Sequence, residues 1–245
     1  MQMGNAVINS ETDAKGQWKF YGSHALIPDD VARQALKYCD FSPNATKQSD
    51  KCKEAVNQSD DEHLGNINLY NIYAPLCSNS NLTDKPKKIS AMSPDPCSDY
   101  YVSAYLNRPA VQKALHVTNI PYHWEFCSDV VYDKWQDSPY TVSPLIKAIM
   151  AHGLRVWIYS GDVDAMVPVT STLLSIRDMK LGVVTRWYPW NIDGEVGGYT
   201  QVYQNLTFAT VRGAGHEVPM YQPKRSLSLI THFVTGTPLP HSSTN

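Results

Sequence analysis

The chain has 245 residues, of which 42% are hydrophobic and 18% charged, a balance that belongs to a folded protein rather than a disordered one. Lys plus Arg number 21 against 23 Asp plus Glu, a formal charge of −2, so no basic excess exists to neutralise phosphates and a nucleic-acid partner is excluded. No apolar run approaches the roughly 18 residues that span a bilayer, which excludes a membrane anchor, and Met1 to Ser10 (MQMGNAVINS) lacks the basic and apolar segments of an export signal.

In chain order, residues 24–39 (HALIPDDVARQALKYC) open on Pro-Asp-Asp and then place Val31, Ala35 and Leu36 at helical spacing. Residues 42–97 differ in character, being rich in Ser, Asn, Asp, Lys and Pro. They are predicted to form a cap or insertion, within which 78–96 reads as an exposed loop open to proteases. Beyond residue 98 the texture is that of a packed domain. Arg108-Pro109 opens a predicted helix through Val117, and 143–152 is a second helix, ended by Gly153. RVWIYSG (155–161) reads as a buried strand running into a Gly-Asp turn. Residues 184–189 and 206–212 are further strands, and 226–233 is a closing helix before Pro238 and Pro240. Helices alternating with strands indicate an α/β sheet.

Five cysteines stand at 39, 52, 77, 97 and 127 without a C-x-x-C pair, so no zinc site is expected. Four acceptor sequons begin at Asn44, Asn57, Asn81 and Asn205, each in a polar, turn-rich setting. Sequons beside loop cysteines point to the secretory pathway, where disulfides persist. An odd cysteine and a missing export signal are both explained if a segment precedes Met1.

Two loops carry the chemistry. One follows the strand at 155–161 and presents Asp162 and Asp164; the other, Val211 to Pro219, frames His216 between glycines. Loops at the carboxyl ends of strands are where open α/β sheets place functional groups. A carboxylate followed by a histidine is the second half of a Ser-Asp-His triad: the histidine takes the serine's proton and the acid orients and stabilises the ring. The plainer alternatives are a turn-capping Asp162, a surface Asp164 and a hydrogen-bonded loop histidine. A metal held by Asp162, Asp164 and His216 lacks a further ligand, and neither metal nor cofactor is expected. None of the 13 glycines is followed two positions later by serine, so the G-x-S-x-G nucleophile elbow is absent from this chain.

These residues resemble the C-terminal part of the plant serine carboxypeptidase-like family. The matching stretches are Met3 to Asn9 with Glu11-Thr-Asp13, Ser23 to Ile27, Tyr159 to Asp164 with Val167 to Ser171, Gly194 to Tyr199, and Arg212 to Pro219. The resemblance implies an α/β-hydrolase fold, here as one partial domain over 1–245. It also implies removal of C-terminal amino acids from a peptide substrate at acidic pH, in a vacuole or outside the cell. It assigns the triad acid to Asp164 and the base to His216, with the serine and the substrate-binding residues upstream of Met1. It pairs Cys39 with Cys52 and Cys77 with Cys97, leaves Cys127 for a cysteine of the missing segment, and makes 78–96 an excisable linker. A homodimer is left open. Acyltransferases and a hydroxynitrile lyase share the frame and are the alternative reactions. The alternative of another class is a truncated, inactive binding protein, and the isolated chain, lacking early central strands, is expected to aggregate.

Overall fold

The computed structural model describes residues 1–59, 64–78, 95–117 and 123–241. They form two compact units, Met1–Tyr73 with Tyr140–Asn245, and Ala74–Pro139. The expected insertion at 42–97 straddles these two units. Most of the 78–96 stretch, and with it Asn81, lies outside the described residues.

The first unit is built on a five-stranded sheet: β1 (Gln2–Gly4), β2 (Val156–Gly161), β3 (Val183–Ile192), β4 (Glu195–Tyr203) and β5 (Leu206–Val211), in the order β1-β2-β5-β4-β3. β1, β2 and β5 run parallel, while β5, β4 and β3 form an antiparallel meander. Its helices are α1 (Ser10–Ser23), α2 (Asp29–Tyr38) and α3 (Asp50–Ser59), then, after the second unit's three, α7 (Ser143–Ala151), α8 (Val169–Asp178), α9 (Val218–Tyr221) and α10 (Pro223–Thr235). The second unit holds α4 (Ser98–Leu106), α5 (Pro109–Ala114) and α6 (Asp129–Lys134).

Strand β2 is apolar on both faces because both are covered. Val156 and Ile158 join Ile146 and Met150 of α7 and Ile176 of α8 in the main core. On the opposite face Trp157 meets Phe233 of α10 edge-on. The Gly197-Gly198 pair in β4 serves the buried Trp190: a Cβ at Gly197 would meet the indole at 2.3 Å, and one at Gly198 would meet the Thr210 carbonyl at 1.9 Å. With that space free, the indole N–H donates to Thr210 O at 2.9 Å.

Helix α1 is started by Asn9, whose side chain accepts from Glu11 N and Thr12 N, while Asp13 reaches back to the N–H groups of Ile8 and Asn9. This reciprocal cap satisfies donors that a helix end leaves unpaired. Glycine at position 16 then lets α1 close on α8, where Thr170 donates to Gly16 O and Ser171 to Asp13 O. The disulfide Cys39–Cys52 ties α2 to α3.

In the second unit Cys77 is joined to Cys97, and Cys127 is free and exposed. Helix α5 corrects the expectation of a helix to Val117: it ends at Ala114, because His116 takes a left-handed φ of 57°. Tyr100, Tyr105, Phe126, Tyr132 and Trp135 are exposed here. No helix among the described residues is long and apolar enough to cross a membrane.

Candidate active site

The site forms where β2 and β5, adjacent and parallel, both end. Gly161 pairs with Val211 at the last register position, so the loops leaving these strands start side by side. They are stitched together at once: Val163 N donates to Ala214 O at 3.1 Å, and Gly213 N donates to Asp162 Oδ1 at 2.6 Å. Burial raises the Asp162 pKa, against the lowering effect of the Gly213 N–H.

Asp164 is fully buried at 0% exposure, so its charge must be met by donors. Its Oδ1 accepts from Met166 N at 2.8 Å and Val167 N at 3.3 Å. Its Oδ2 accepts from the Asn5 side-chain amide at 2.7 Å and from His216 Nδ1 at 2.9 Å. A carboxylate only accepts, so the proton sits on Nδ1 of His216 and Nε2 is the basic nitrogen of the neutral ring. The hydrogen bond that His216 donates to Asp164 raises the His216 pKa, burial opposes it, and the charges of Asp164 and Glu217 add to the rise. The imidazole side chain keeps 29% of its surface in solvent.

A third segment braces both loops. Leu69 O accepts from Ala165 N and Met166 N at 2.8 and 3.1 Å, Ile72 N donates to Val163 O, and His216 N donates to Tyr70 O at 2.7 Å. The Tyr70 ring stands edge-on to the imidazole with centroids 5.4 Å apart. The close approach explains Gly215, where a Cβ would meet Tyr70 O at 2.2 Å.

Asp164 and His216 are therefore brought together, and Asp162 is held apart on Gly213. Sequence reasoning did not single out Asn5 or the Leu69–Ile72 brace. The Gly4-Asn5 turn just after a short strand was the available signal for the first. The brace acts through backbone atoms, which leave no mark on side-chain pattern. Among the described residues no group of three His, Cys, Asp or Glu side chains is placed to hold a metal ion. Asn44, Asn57 and Asn205 are all exposed.

The serine carboxypeptidase family description matches residues 1–236. The chain belongs to the serine carboxypeptidase family. It is 53% identical to serine carboxypeptidase-like 40 of Arabidopsis thaliana, over 98% of this chain and 49% of that protein. It is 44% identical to serine carboxypeptidase 24 of the same plant, over 98% of this chain and 54% of that protein. With serine carboxypeptidase II-1 of Hordeum vulgare it shares 41% identity over 97% of this chain and 75% of that protein. The crystal structure of Kex1Δp, a prohormone-processing carboxypeptidase from Saccharomyces cerevisiae, superposes with a TM-score of 0.65 at 20% identity, over 96% of this chain and 54% of that one. That likeness places the sheet in the α/β-hydrolase fold. The chain spans about half the length of these Arabidopsis relatives.

Proposed function

We propose that the chain supplies the acid and base of a serine carboxypeptidase, Asp164 and His216, to a serine carried by a segment outside residues 1–245. The observation that carries the reading is the hydrogen bond from His216 Nδ1 to the buried Asp164. In the proposed cycle His216 Nε2 takes the serine hydroxyl proton as the oxygen attacks the scissile carbonyl. Asp164 stabilises the imidazolium, and the proton passes to the leaving amine. Water repeats the sequence on the acyl-enzyme, with Nε2 again as base, and releases the serine. The substrate is the C-terminal end of a peptide, and the released group is its last amino acid.

The length of the relatives supports an additional segment, and the exposed Cys127 suits a disulfide to it. Exposed sequon asparagines and two disulfides support passage through the secretory pathway, to a vacuole or the cell exterior.

The test is hydrolysis of N-blocked dipeptides by the mature protein and by its His216→Gln and Asp164→Asn variants. Release of the C-terminal amino acid, reduced by about 10⁴-fold in Asp164→Asn and by about 10⁶-fold in His216→Gln, is the expected result. Acyl transfer from glucose esters in preference to hydrolysis would instead assign the same pair to an acyltransferase.

A further inference from the structure

We propose that Asn5 is a positioning residue of this site: its side-chain amide fixes which oxygen of Asp164 faces the imidazole and keeps water off that oxygen. The inference rests on the reading of Asp164 and His216 as acid and base.

Asn5 lies just past β1, far in sequence from both loops, and is only 4% exposed. Its backbone N–H donates to Tyr159 O at 2.9 Å, extending the β1–β2 ladder by one bond. That fixes its Cα against the end of β2. Its side chain then makes two bonds of opposite sense: Oδ1 accepts from Gly161 N at 3.1 Å, and Nδ2 donates to Asp164 Oδ2 at 2.7 Å. The orientation of the amide is settled by these neighbours. Turned over, it would set NH2 against the Gly161 N–H and an oxygen against a carboxylate.

The residue type is also constrained by the backbone. Asn5 has a φ of 43°, a left-handed conformation in which Asn, Asp and Gly are the favoured residues. Of these only Asn offers an acceptor to Gly161 and a donor to Asp164 at once.

The two oxygens of Asp164 are held differently. Oδ1 is satisfied by Met166 and Val167, from its own loop. Oδ2 faces the imidazole, and its second donor comes from another element, the end of β1. Without the amide, the space beside Oδ2 is open to water, which competes for the His216 Nδ1–H. Replacing the donor by a carboxyl, as in Asn5→Asp, sets two acid oxygens at hydrogen-bond distance. Such a pair retains one proton between them, and the shared proton weakens Oδ2 as an acceptor for the ring.

The test is made on the mature protein with whatever segment is joined to it. Readouts are the low-field imidazole N–H resonance, the His216 titration, kcat and KM on an N-blocked dipeptide, and folding by circular dichroism. Asn5→Gly, which tolerates the φ, and Asn5→Asp are both expected to speed exchange of the Nδ1 proton by about tenfold or more. Both should lower the His216 pKa toward that of an ordinary histidine, and reduce kcat about tenfold with KM within about twofold. Folded variants with an unchanged resonance and titration would overturn the proposal. In the unsubstituted protein the Asn5 side-chain NH2 protons should exchange slowly and shift as His216 titrates; fast exchange with no shift would overturn it without any variant. Asp164→Asn separates the two readings. If it leaves the low-field signal intact, the acid–base pair itself fails. If it removes the signal while both Asn5 variants keep it, only the role of Asn5 fails.

Discussion

Asp162 Oδ1 accepts the Gly213 N–H at 2.6 Å, a bond that fastens the acid loop to the base loop and holds Asp162 away from the imidazole. Two residues on, Asp164 turns inward and meets His216. One loop thus carries two aspartates with different work. Asp162→Asn keeps an acceptor for Gly213 and is expected to cost less than about tenfold in kcat, whereas Asp164→Asn costs about 10⁴-fold. Asp162→Ala removes the bond to the exposed Gly213 N–H, which then turns to water, and is expected to destabilise the fold by about 0.5–1.5 kcal/mol. Steady-state kinetics and urea unfolding of the three variants check this, and equal losses for the two asparagine variants would refute it.

The raised His216 pKa has a consequence for rate. Below that pKa the free enzyme's imidazole is protonated and unable to act as base, so kcat/KM falls about tenfold per pH unit on the acid side. A bound substrate covers the part-exposed ring, and that added desolvation favours the neutral form. The limb in kcat is therefore expected at lower pH than the limb in kcat/KM, which is how the site would work in an acidic compartment. Coincident limbs in the two pH profiles would contradict the argument.

Stability carries its own pH signature. Burial pushes the Asp13 carboxyl from 3.8 up to about 6, against the lowering effect of the Asn9 and Ile8 N–H groups. Between those values the folded protein keeps a proton that the unfolded chain has released, so stability falls as pH rises through the window. His216 acts in the same direction: its raised folded pKa contributes stability below the unfolded value of 6.5, lost as pH climbs through the folded one. The melting temperature is expected to decline from about pH 4 to pH 6, and Asp13→Asn, which still accepts from Ile8 and Asn9, should flatten that decline. A decline unchanged in Asp13→Asn would remove Asp13 as its source.

Gly161 sets the spacing of the loops that carry Asp164 and His216. A Cβ there would meet Gly215 O at 2.2 Å and Ala214 O at 2.3 Å, both backbone atoms of the base loop. Gly161→Ala therefore separates Asp164 from His216 as well as straining the sheet. It is expected to cost about 1–3 kcal/mol of stability and to weaken the low-field imidazole signal. Full retention of that signal would show that the loops absorb the methyl group elsewhere.

The sequence made the Asp164–His216 pair legible more readily than the scaffold. Asp164 and His216 stood out because strand-end loops with glycine punctuation advertise themselves, and strand β2 announced itself by its unbroken apolar run. Helix α1 escaped because Lys15, Gly16, Gln17 and Lys19 interrupt any clear apolar stripe; its start depends on Asn9 and Asp13 capping, and its packing on a glycine against Ser171. Strand β4 escaped because Gly197 and Gly198 interrupt any strand-like alternation of side chains, while their purpose is to admit Trp190. The end of α5 at Ala114 was hidden for a different reason: the left-handed residue that follows, His116, is not a glycine that would mark it. The part played by Asn5 was hidden because its partners are 156 and 159 residues away.

The central claim is that Asp164 and His216 activate a serine lying outside these 245 residues. Labelling the natural protein with a fluorophosphonate, which reacts with activated serines, and mapping the modified residue by mass spectrometry tests it most directly. The account predicts a single labelled serine on a segment outside residues 1–245, with labelling lost in His216→Gln. Absence of labelling in the folded protein, or a label on a serine within this chain, would contradict it.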